Sequence, residues 1–328
     1  MNKYAVLGSN SFSGSAFVNH LCKNDHNVIG ISRSHEPNPV FLRYYPSQYE
    51  NFTFHALDIN QNLNSILAVL DDYRPDFIVN FAAQGMVAQS WEKPEDWFQT
   101  NTVATVKLHD GLRKFDWLKR YIHISTPEVY GSCEGLVQES HSFSPSTPYA
   151  VSRAAADMSL SSFIKAYNFP VIFTRAANVF GEHQQLYRII PRTILYFLTG
   201  KRLQLHGGGS SVRSFIHIDD VCKGTQLAAE QGNTGEVFHF ATSENITIRS
   251  LVEMIAEQLG VRFEDHVELV GERLGKDAAY LLDCSLAKER LDWEPKISFR
   301  QGLERTTKWV KDNLECLLRQ PQNYTHKP

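Results

Sequence analysis

The stretch Thr-Pro-Tyr-Ala-Val-Ser-Arg at 147–153 contains a pair of side chains that could form a catalytic base. Tyr149 and Arg153 are four positions apart, so on a helix they share one face and lie one turn from each other. An unperturbed tyrosine has a pKa near ~10, and a nearby positive charge lowers it. The spacing therefore places a cation where it would lower the pKa of the Tyr149 phenol.

A glycine-containing turn near the N-terminus has the features of a phosphate-binding site. The apolar run at 4–8 is followed by Gly8-Ser-Asn-Ser-Phe-Ser-Gly14 and then by a helical pattern. Glycines at such a turn let the backbone approach a pyrophosphate, whose charge lies at the helix N-terminus. Ser11 stands where a middle glycine would be, and it can donate a hydrogen bond instead. The turn predicts five nucleotide-binding residues: Gly8, Asn10, Ser11, Phe12 and Gly14.

The end of the second predicted strand indicates which dinucleotide is bound. An NAD site normally has Asp or Glu here to hold the ribose 2′-hydroxyl. This chain has Ser32 and Arg33 instead, a neutral donor and a cation that suit a 2′-phosphate. We therefore expect NADP, with NAD as the alternative. The alternative interpretation of Arg33 is a solvated loop residue that binds no phosphate.

The order of the predicted elements indicates an α/β fold. Apolar runs at 4–8, 27–32, 52–57, 77–83, 120–125 and 170–175 alternate with helix-length stretches at 13–23, 62–72, 94–115 and 149–168. This alternation predicts a Rossmann doubly wound parallel sheet. A smaller C-terminal substrate-binding subdomain follows. We expect 1–174 to form the dinucleotide-binding domain and 175–328 mainly the substrate subdomain, with a return to the first domain around 210–240.

Composition excludes several classes of function. The chain has 328 residues, a net charge of -3 and no basic field that would suit nucleic acid. We find no signal-peptide pattern and no apolar run long enough for a membrane span. Five scattered cysteines predict reduced thiols in a cytoplasmic protein, and thirteen histidines without metal spacing predict no metal. The segment after Leu318 is expected to be loose.

Eight motifs together resemble the extended short-chain dehydrogenases/reductases, and among them the nucleotide-sugar 4,6-dehydratases. They run in the family's order over nearly the whole chain. The motifs are Gly8–Gly14, Leu57–Ile59, Asn80–Gln84, Ser125–Gly131, Pro148–Arg153, Arg175–Gly181, Arg213–Asp220 and Arg273–Asp277.

This resemblance implies roles for the catalytic residues. Tyr149 would take the proton of a sugar C4 hydroxyl, with Thr126 or Ser125 bonded to the same oxygen. Glu128 would remove the C5 proton once C4 is a ketone. Arg153 stands where the family has lysine, and because it is permanently charged we interpret it as a working substitute. Pro127 replaces the Asp or Ser of many relatives and has no proton to give.

The resemblance also implies binding residues and an assembly. The cofactor would contact Asp58, at its adenine, together with Ile59, Phe81, Ala82, Ala83, Tyr149 and Arg153. The sugar nucleotide would contact Gln84, Ser90, Asn178, Arg188, Arg213 and Arg273. The helices at 94–115 and 149–168 are similar to those that form a homodimer interface in this family, although their apolar stripes would equally suit an intramolecular core.

These patterns predict an NADP-dependent nucleotide-hexose 4,6-dehydratase that makes a 4-keto-6-deoxy sugar for a surface glycan. The expected donor is a GDP-linked hexose or N-acetylhexosamine, then a UDP-linked one. A 4-epimerase or uronate decarboxylase of the same fold remains open, although epimerases do not require Glu128. A nucleotide-binding regulatory module with impaired catalysis is the third hypothesis, favoured by Arg153, Pro127 and Ser11.

Overall fold

The computed structural model describes residues 1–44, 49–133, 135–271 and 281–327. The strands found there are β1 (Lys3–Leu7), β2 (Asn27–Ser32), β3 (Phe52–Ala56), β4 (Phe77–Asn80), β5 (Arg120–Ile124), β6 (Leu136–Val137), β7 (Val171–Ala176), β8 (Asn178–Phe180), β9 (Leu203–His206), β10 (Val212–His217), β11 (Val237–Phe240), β12 (Asn245–Thr247), β13 (Val267–Val270) and β14 (Leu281–Leu282).

The same ranges contain the helices α1 (Phe12–Lys23), α2 (Leu63–Tyr73), α3 (Pro94–Phe98), α4 (Thr105–Leu112), α5 (Pro148–Tyr167), α6 (Ile189–Leu198), α7 (Ile218–Gln231), α8 (Ile248–Leu259), α9 (Phe263–His266), α10 (Ser285–Leu291), α11 (Phe299–Asp312) and α12 (Leu314–Leu318). A π-helical segment, Gln99–Ala104, joins α3 to α4, so the helix predicted at 94–115 forms as three consecutive pieces.

A seven-stranded sheet in the order β11-β7-β5-β4-β1-β2-β3 forms the centre of the molecule. All of its neighbouring strands pair in parallel. The chain starts at β1, builds outward to β3, and then crosses to β4 on the other side of β1. This is the doubly wound topology, and the predicted Rossmann fold is confirmed.

The strands form where the sequence has short, continuous apolar runs because parallel strands covered by helices are buried on both faces. All four residues of β4 are buried, as are four of the five in β1. Two apolar clusters, one containing Phe17 and the other Leu108, pack against the sheet.

The C-terminal half forms smaller sheets around a third apolar cluster. Strands β12, β10 and β8 make one sheet, and β13 pairs with β9 in another. Helices α6, α8 and α11 contribute buried residues such as Ile194, Ile255 and Val310 to this cluster. The chain returns to the main sheet at β11, so the division at 174/175 remains a proposal about how the chain is organised.

Candidate active site

A cavity of about 250 Å³ lies at the carboxyl ends of the central strands, where β1 and β4 lead their connections to opposite sides. Open α/β sheets bind their ligands in the crevice at such a switch point. The cavity is lined by Gly8, Asn10, Ser11, Ile31, Ser32, Arg33, Ser34, Leu57, Asp58, Ile59, Asn60, Phe81, Ala82, Ala83, Gln84 and Thr100. Ten of the residues predicted to bind the cofactor therefore come together here, on four separate loops.

The turn between β1 and α1 fits a dinucleotide because two positions leave no room for a side chain. Gly8 has φ +78°, and a Cβ there would lie 2.7 Å from the Ala82 amide nitrogen. A Cβ on Gly14 would lie 2.2 Å from the Gly8 carbonyl oxygen. The backbone thus runs close to both the next loop and its own helix, leaving the N-terminus of α1 open to a pyrophosphate. Phe12 is buried as the first residue of that helix.

Two serine hydroxyls fix the shape of this turn by accepting hydrogen bonds from its backbone amides. Ser11 is the N-cap of α1, and its hydroxyl accepts a hydrogen bond from the Gly14 amide at 3.0 Å. The buried Ser32 hydroxyl accepts one from the Asn10 amide at 3.0 Å, which ties the turn to the end of β2. Serine at position 11 therefore has a capping function that a glycine could not provide.

Helix α5 carries the predicted base in its first turn. Thr147 caps the helix, accepting from the Ala150 amide at 3.1 Å, and Pro148 begins it. Tyr149 follows in the first turn, where its phenol hydrogen bonds to Thr126 and lies within electrostatic reach of Glu128 and Arg188. Thr126, rather than Ser125, is the hydroxyl partner of the tyrosine.

The balance of effects on Tyr149 differs from the sequence expectation. Burial raises the pKa of Tyr149, the Glu128 carboxylate raises it further, and Arg153, Thr126 and Arg188 only partly offset this. Arg153 therefore lowers the pKa of Tyr149 as expected. The expectation that this pKa falls overall is wrong, because burial and Glu128 raise it more. Desolvation disfavours the phenolate because the surrounding protein replaces water around it.

Arg153 lies one turn further along α5 and is almost completely buried. One of its terminal nitrogens donates to the Ile124 carbonyl at the end of β5 and lies 3.5 Å from His123 Nε2. Its Nε has no hydrogen-bond partner among the described residues. The guanidinium therefore supplies charge beneath the tyrosine and also fixes the end of the strand that carries Thr126.

A buried carboxylate that the sequence analysis did not single out lies one turn beyond Arg153. Asp157 accepts hydrogen bonds from Ser125 Oγ at 2.7 Å and from Arg175 at 2.8 Å. Although burial raises its pKa, His123 and Arg175 hold the pKa of Asp157 well below its usual range. The i, i+4, i+8 spacing of 149, 153 and 157 was the signal that could have revealed it.

The loop after β4 places Gln84 and Ser90 differently from each other. Gln84 lines the cavity, and its backbone is held by Asn101, which accepts from its amide at 2.8 Å and donates to its carbonyl at 3.0 Å. Ser90 is fully buried, and its hydroxyl accepts from the Tyr149 amide at 3.2 Å. Ser90 therefore anchors the start of α5, and its contact with the sugar stays a prediction.

The remaining predicted substrate residues come from the C-terminal half. Asn178 and Arg213 lie on the adjacent strands β8 and β10, where Asn178 donates to the Ser214 carbonyl at 3.0 Å and Arg213 to the Val212 carbonyl at 2.9 Å. Arg188 precedes α6 and acts on Tyr149. Arg273 lies outside the described residues.

In the part of the chain that the structure describes, no helix combines the length and the apolar character that a membrane span requires. No group of three or more His, Cys, Asp or Glu side chains is arranged there to hold a metal ion.

Comparison with known proteins places this site in a family. The family model for GDP-mannose 4,6 dehydratase matches residues 6–306. The chain belongs to this family. The dTDP-glucose 4,6-dehydratase of Streptomyces antibioticus is 33% identical over 321 residues, covering 94% of this chain and 92% of that protein. The predictions of an extended short-chain dehydrogenase/reductase and of a nucleotide-hexose 4,6-dehydratase are confirmed.

Solved structures agree with this assignment. The dTDP-glucose 4,6-dehydratase DesIV of Streptomyces venezuelae, solved with NAD and TYD bound, superimposes with a TM-score of 0.88 at 30% identity, covering 96% of this chain and 98% of that one. The UDP-glucose 4-epimerase of Thermotoga maritima, solved with UDP-glucose, gives 0.86 at 27% identity and covers 95% and 99%. The fold is thus shared by dehydratases and epimerases, and the residues of the site must distinguish them.

Proposed function

We propose that Tyr149, Thr126 and Glu128 carry out the 4,6-dehydration in this chain. The observation that supports it is the convergence of the three side chains: the phenol hydrogen bonds to Thr126 and lies beside the Glu128 carboxylate. A nicotinamide dinucleotide bound in the cavity supplies the hydride acceptor for C4 and the hydride donor for C6. Tyr149 takes the proton of the C4 hydroxyl, and its bond to Thr126 holds the phenol oxygen toward that hydroxyl.

Glu128 then acts on the neighbouring carbon. The C4 ketone makes the C5 proton acidic, and the Glu128 carboxylate removes it. The C6 hydroxyl leaves as water, and hydride delivered to C6 together with a proton at C5 completes the 4-keto-6-deoxy sugar. The net change is the loss of one water.

Pro127 makes Glu128 the proton donor as well. Proline is the first residue of a short 3-10 helix, Pro127–Tyr130, that is capped by Thr126, and it carries no proton. C5 and C6 are adjacent, so the proton that Glu128 takes from C5 can be returned to the departing C6 oxygen. We propose that Glu128 fills both roles.

The dinucleotide is proposed to be NADP. The solved dehydratases DesIV and that of Bacillus anthracis carry NAD. Here β2 ends at Ser32, and Arg33 follows it. Both line the cavity, and positions 32–34 contain no acidic residue. An Arg33→Ala variant is expected to lose affinity for NADP and to keep its affinity for NAD, as measured by calorimetric titration. Equal losses for both would contradict this.

The substrate is proposed to be a nucleoside-diphosphate hexose. Guanidinium groups suit a diphosphate because they make charge-assisted, bidentate bonds, and we propose that Arg188, which acts on Tyr149, and Arg213 on β10 bind it. The dehydratases named above are dTDP-glucose 4,6-dehydratases, whereas the sequence analysis favoured GDP and then UDP. All three belong in the first assay.

Mass spectrometry in D₂O tests this function. The purified protein is incubated with dTDP-, GDP-, UDP- and CDP-hexoses and hexosamines. Loss of one water with one deuterium retained at C5 is the expected result and names the donor. Glu128→Gln should bind the dinucleotide normally and fail to dehydrate; undiminished turnover would rule out the assigned role.

The alternative with specific support is a nucleotide-sugar 4-epimerase. Solved 4-epimerases match this fold over 94% or more of the chain. An epimerase shares the tyrosine and the dinucleotide but does not need a carboxylate at 128. A product of unchanged mass that exchanges no C5 hydrogen would favour it. A 6-carboxylate substrate that releases CO₂ would indicate a decarboxylase, and binding without turnover the regulatory module.

A further inference from the structure

The C-terminal segment 320–327 crosses the opening of the active site. Sequence analysis predicted a loose end after Leu318, and the structure corrects this, because side chains from both halves of the molecule hold the segment. Near its start, Arg192 donates to the Gln322 carbonyl at 3.0 Å and Lys201 Nζ donates to Gln322 Oε1 at 3.1 Å.

An aromatic anchor fixes the segment near its end. The His326 ring stacks on the fully buried Trp97 with centroids 4.8 Å apart and planes 11° from parallel. Its Nε2 lies 2.7 Å from Asp96 Oδ2, and Tyr324 lies 3.2 Å from its other ring nitrogen. A two-sided contact of this kind specifies one position for the segment.

The anchored segment uses donors that belong to the site. The Lys327 carbonyl accepts hydrogen bonds from Gln84 Nε2 at 2.6 Å and from Arg33 at 3.0 Å. Gln84 and Arg33 both line the cavity, on the loops after β4 and β2. One carbonyl therefore bridges two sides of the opening.

The Tyr324 side chain of the segment lies near two cations of the site, one of which also acts on Tyr149. Burial raises the pKa of Tyr324, while Arg33 and Arg188 lower it, so its phenol lies within electrostatic reach of both cations. Arg188 also acts on Tyr149. The segment thus binds a donor on each side of the opening: Gln84, which is predicted to contact the sugar nucleotide, and Arg33, which lines the dinucleotide cavity.

We propose that segment 320–327 is an autoinhibitory tail that competes with the sugar nucleotide and is displaced when it binds. A ligand that needs Gln84 must replace the Lys327 carbonyl, which accepts from Gln84 Nε2 at 2.6 Å. The proposal rests on the proposed function insofar as it takes the competitor to be a nucleoside-diphosphate sugar. Apparent affinity falls by the fraction of molecules whose site is closed, so the tail lowers it without altering the chemistry.

Shortening the chain tests the proposal. A protein ending at Arg319 is expected to bind dTDP, GDP or UDP more tightly than the full chain by roughly threefold or more, measured by calorimetry. With the sugar nucleotide, KM should fall while kcat is unchanged. A synthetic peptide of residues 320–328 added to the shortened protein should raise KM again, and the same peptide with His326→Ala should not.

Point variants of the full chain guard against a folding defect in the shortened protein. His326→Ala removes the stack on Trp97 and the hydrogen bond to Asp96 and should likewise tighten binding. Thr325→Ala, at an exposed neighbouring position, is the matched control and should leave affinity unchanged. Equal or weaker affinity in both the shortened protein and His326→Ala would overturn the proposal. Because nucleoside diphosphate binding needs no turnover, a failure of the dehydratase assignment would show separately, as tight binding without product.

Discussion

At the scale of single residues, the charge around Tyr149 decides how well it works as a base. Burial and Glu128 raise its pKa, and Arg153, Thr126 and Arg188 act in the opposite direction. The same glutamate that we propose acts at C5 thus makes the tyrosine a weaker acid. The two proposed functions are coupled because both groups would have to lie close together to reach adjacent carbons.

This coupling predicts a pH effect. The base must be deprotonated, and its pKa is raised, so the rate of C4 oxidation should increase with pH through the neutral range. Glu128→Gln removes one cause of the raised pKa, so its rising limb should move to lower pH. The measurement is the single-turnover appearance of reduced dinucleotide as a function of pH, with the exposed Glu268→Gln as control. A limb that stays in place or moves to higher pH contradicts the coupling.

The charge at position 153 should matter more than its chemical type. Arg153→Lys keeps the charge near Tyr149 and is expected to retain activity within about tenfold. Arg153→Met removes the charge and the donor to the Ile124 carbonyl, and kcat should fall by about 10² to 10⁴. Steady-state kinetics with circular dichroism as a folding control distinguishes the two. An active Met variant would show that the cation is not needed.

At the scale of elements, one buried network joins the helix of the base to two strands. Asp157 on α5 bonds to Ser125 after β5 and to Arg175 on β7, and Arg175 also donates to the Ser140 carbonyl at 2.7 Å. Because Arg175 and Asp157 are fully buried, each needs the other's charge. The network fixes how α5 lies on the sheet, and with it the position of Tyr149 relative to Thr126.

Breaking this network should destabilise the protein. Asp157→Asn leaves Arg175 buried without a counter-charge, and the free energy of unfolding should fall by about 3 to 5 kcal/mol. Since the folded pKa of Asp157 lies below its unfolded value, its contribution is present above the unfolded value and is lost as the pH falls through the folded one.

Denaturant unfolding of Asp157→Asn at neutral and at acidic pH measures this. Asp110→Asn, which removes two solvent-accessible ion pairs, with Arg113 and Lys114, is the control and should leave stability nearly unchanged. Equal stability of the wild type and Asp157→Asn at neutral pH would show that the buried network does not hold α5.

At the scale of the whole molecule, we propose a homodimer through the helices predicted for that interface. Val151 and Met158 are seven positions apart on α5 and leave 38% and 59% of their surfaces exposed, and Val103 on the adjoining π-helical segment leaves 41%. Apolar residues at such spacing share one helix face. An exposed apolar face on two packed helices is suited to a second copy.

Met158→Glu should therefore shift the protein toward monomers, as measured by light scattering after gel filtration. Leu269→Glu is a matched control, because Leu269 is also 60% exposed but lies on β13 in the C-terminal half. An unchanged mass in both variants would place the dimer contact elsewhere.

The sequence by itself determined the parallel sheet, the glycine turn and the order of the motifs. Strand and helix periodicities are local, and Gly8 and Gly14 are required by a turn that the neighbouring residues define. The pairing of Tyr149 with Arg153 follows from helix spacing alone.

Only the tertiary structure decided which distant groups meet. Thr126 rather than Ser125 bonds to the tyrosine because Asp157 holds Ser125. Ser90 anchors α5, and the tail reaches Gln84 across 243 positions of chain. The net pKa of Tyr149 also depends on burial, which is set by every element packed around it. No local pattern in the sequence contains these long-range contacts.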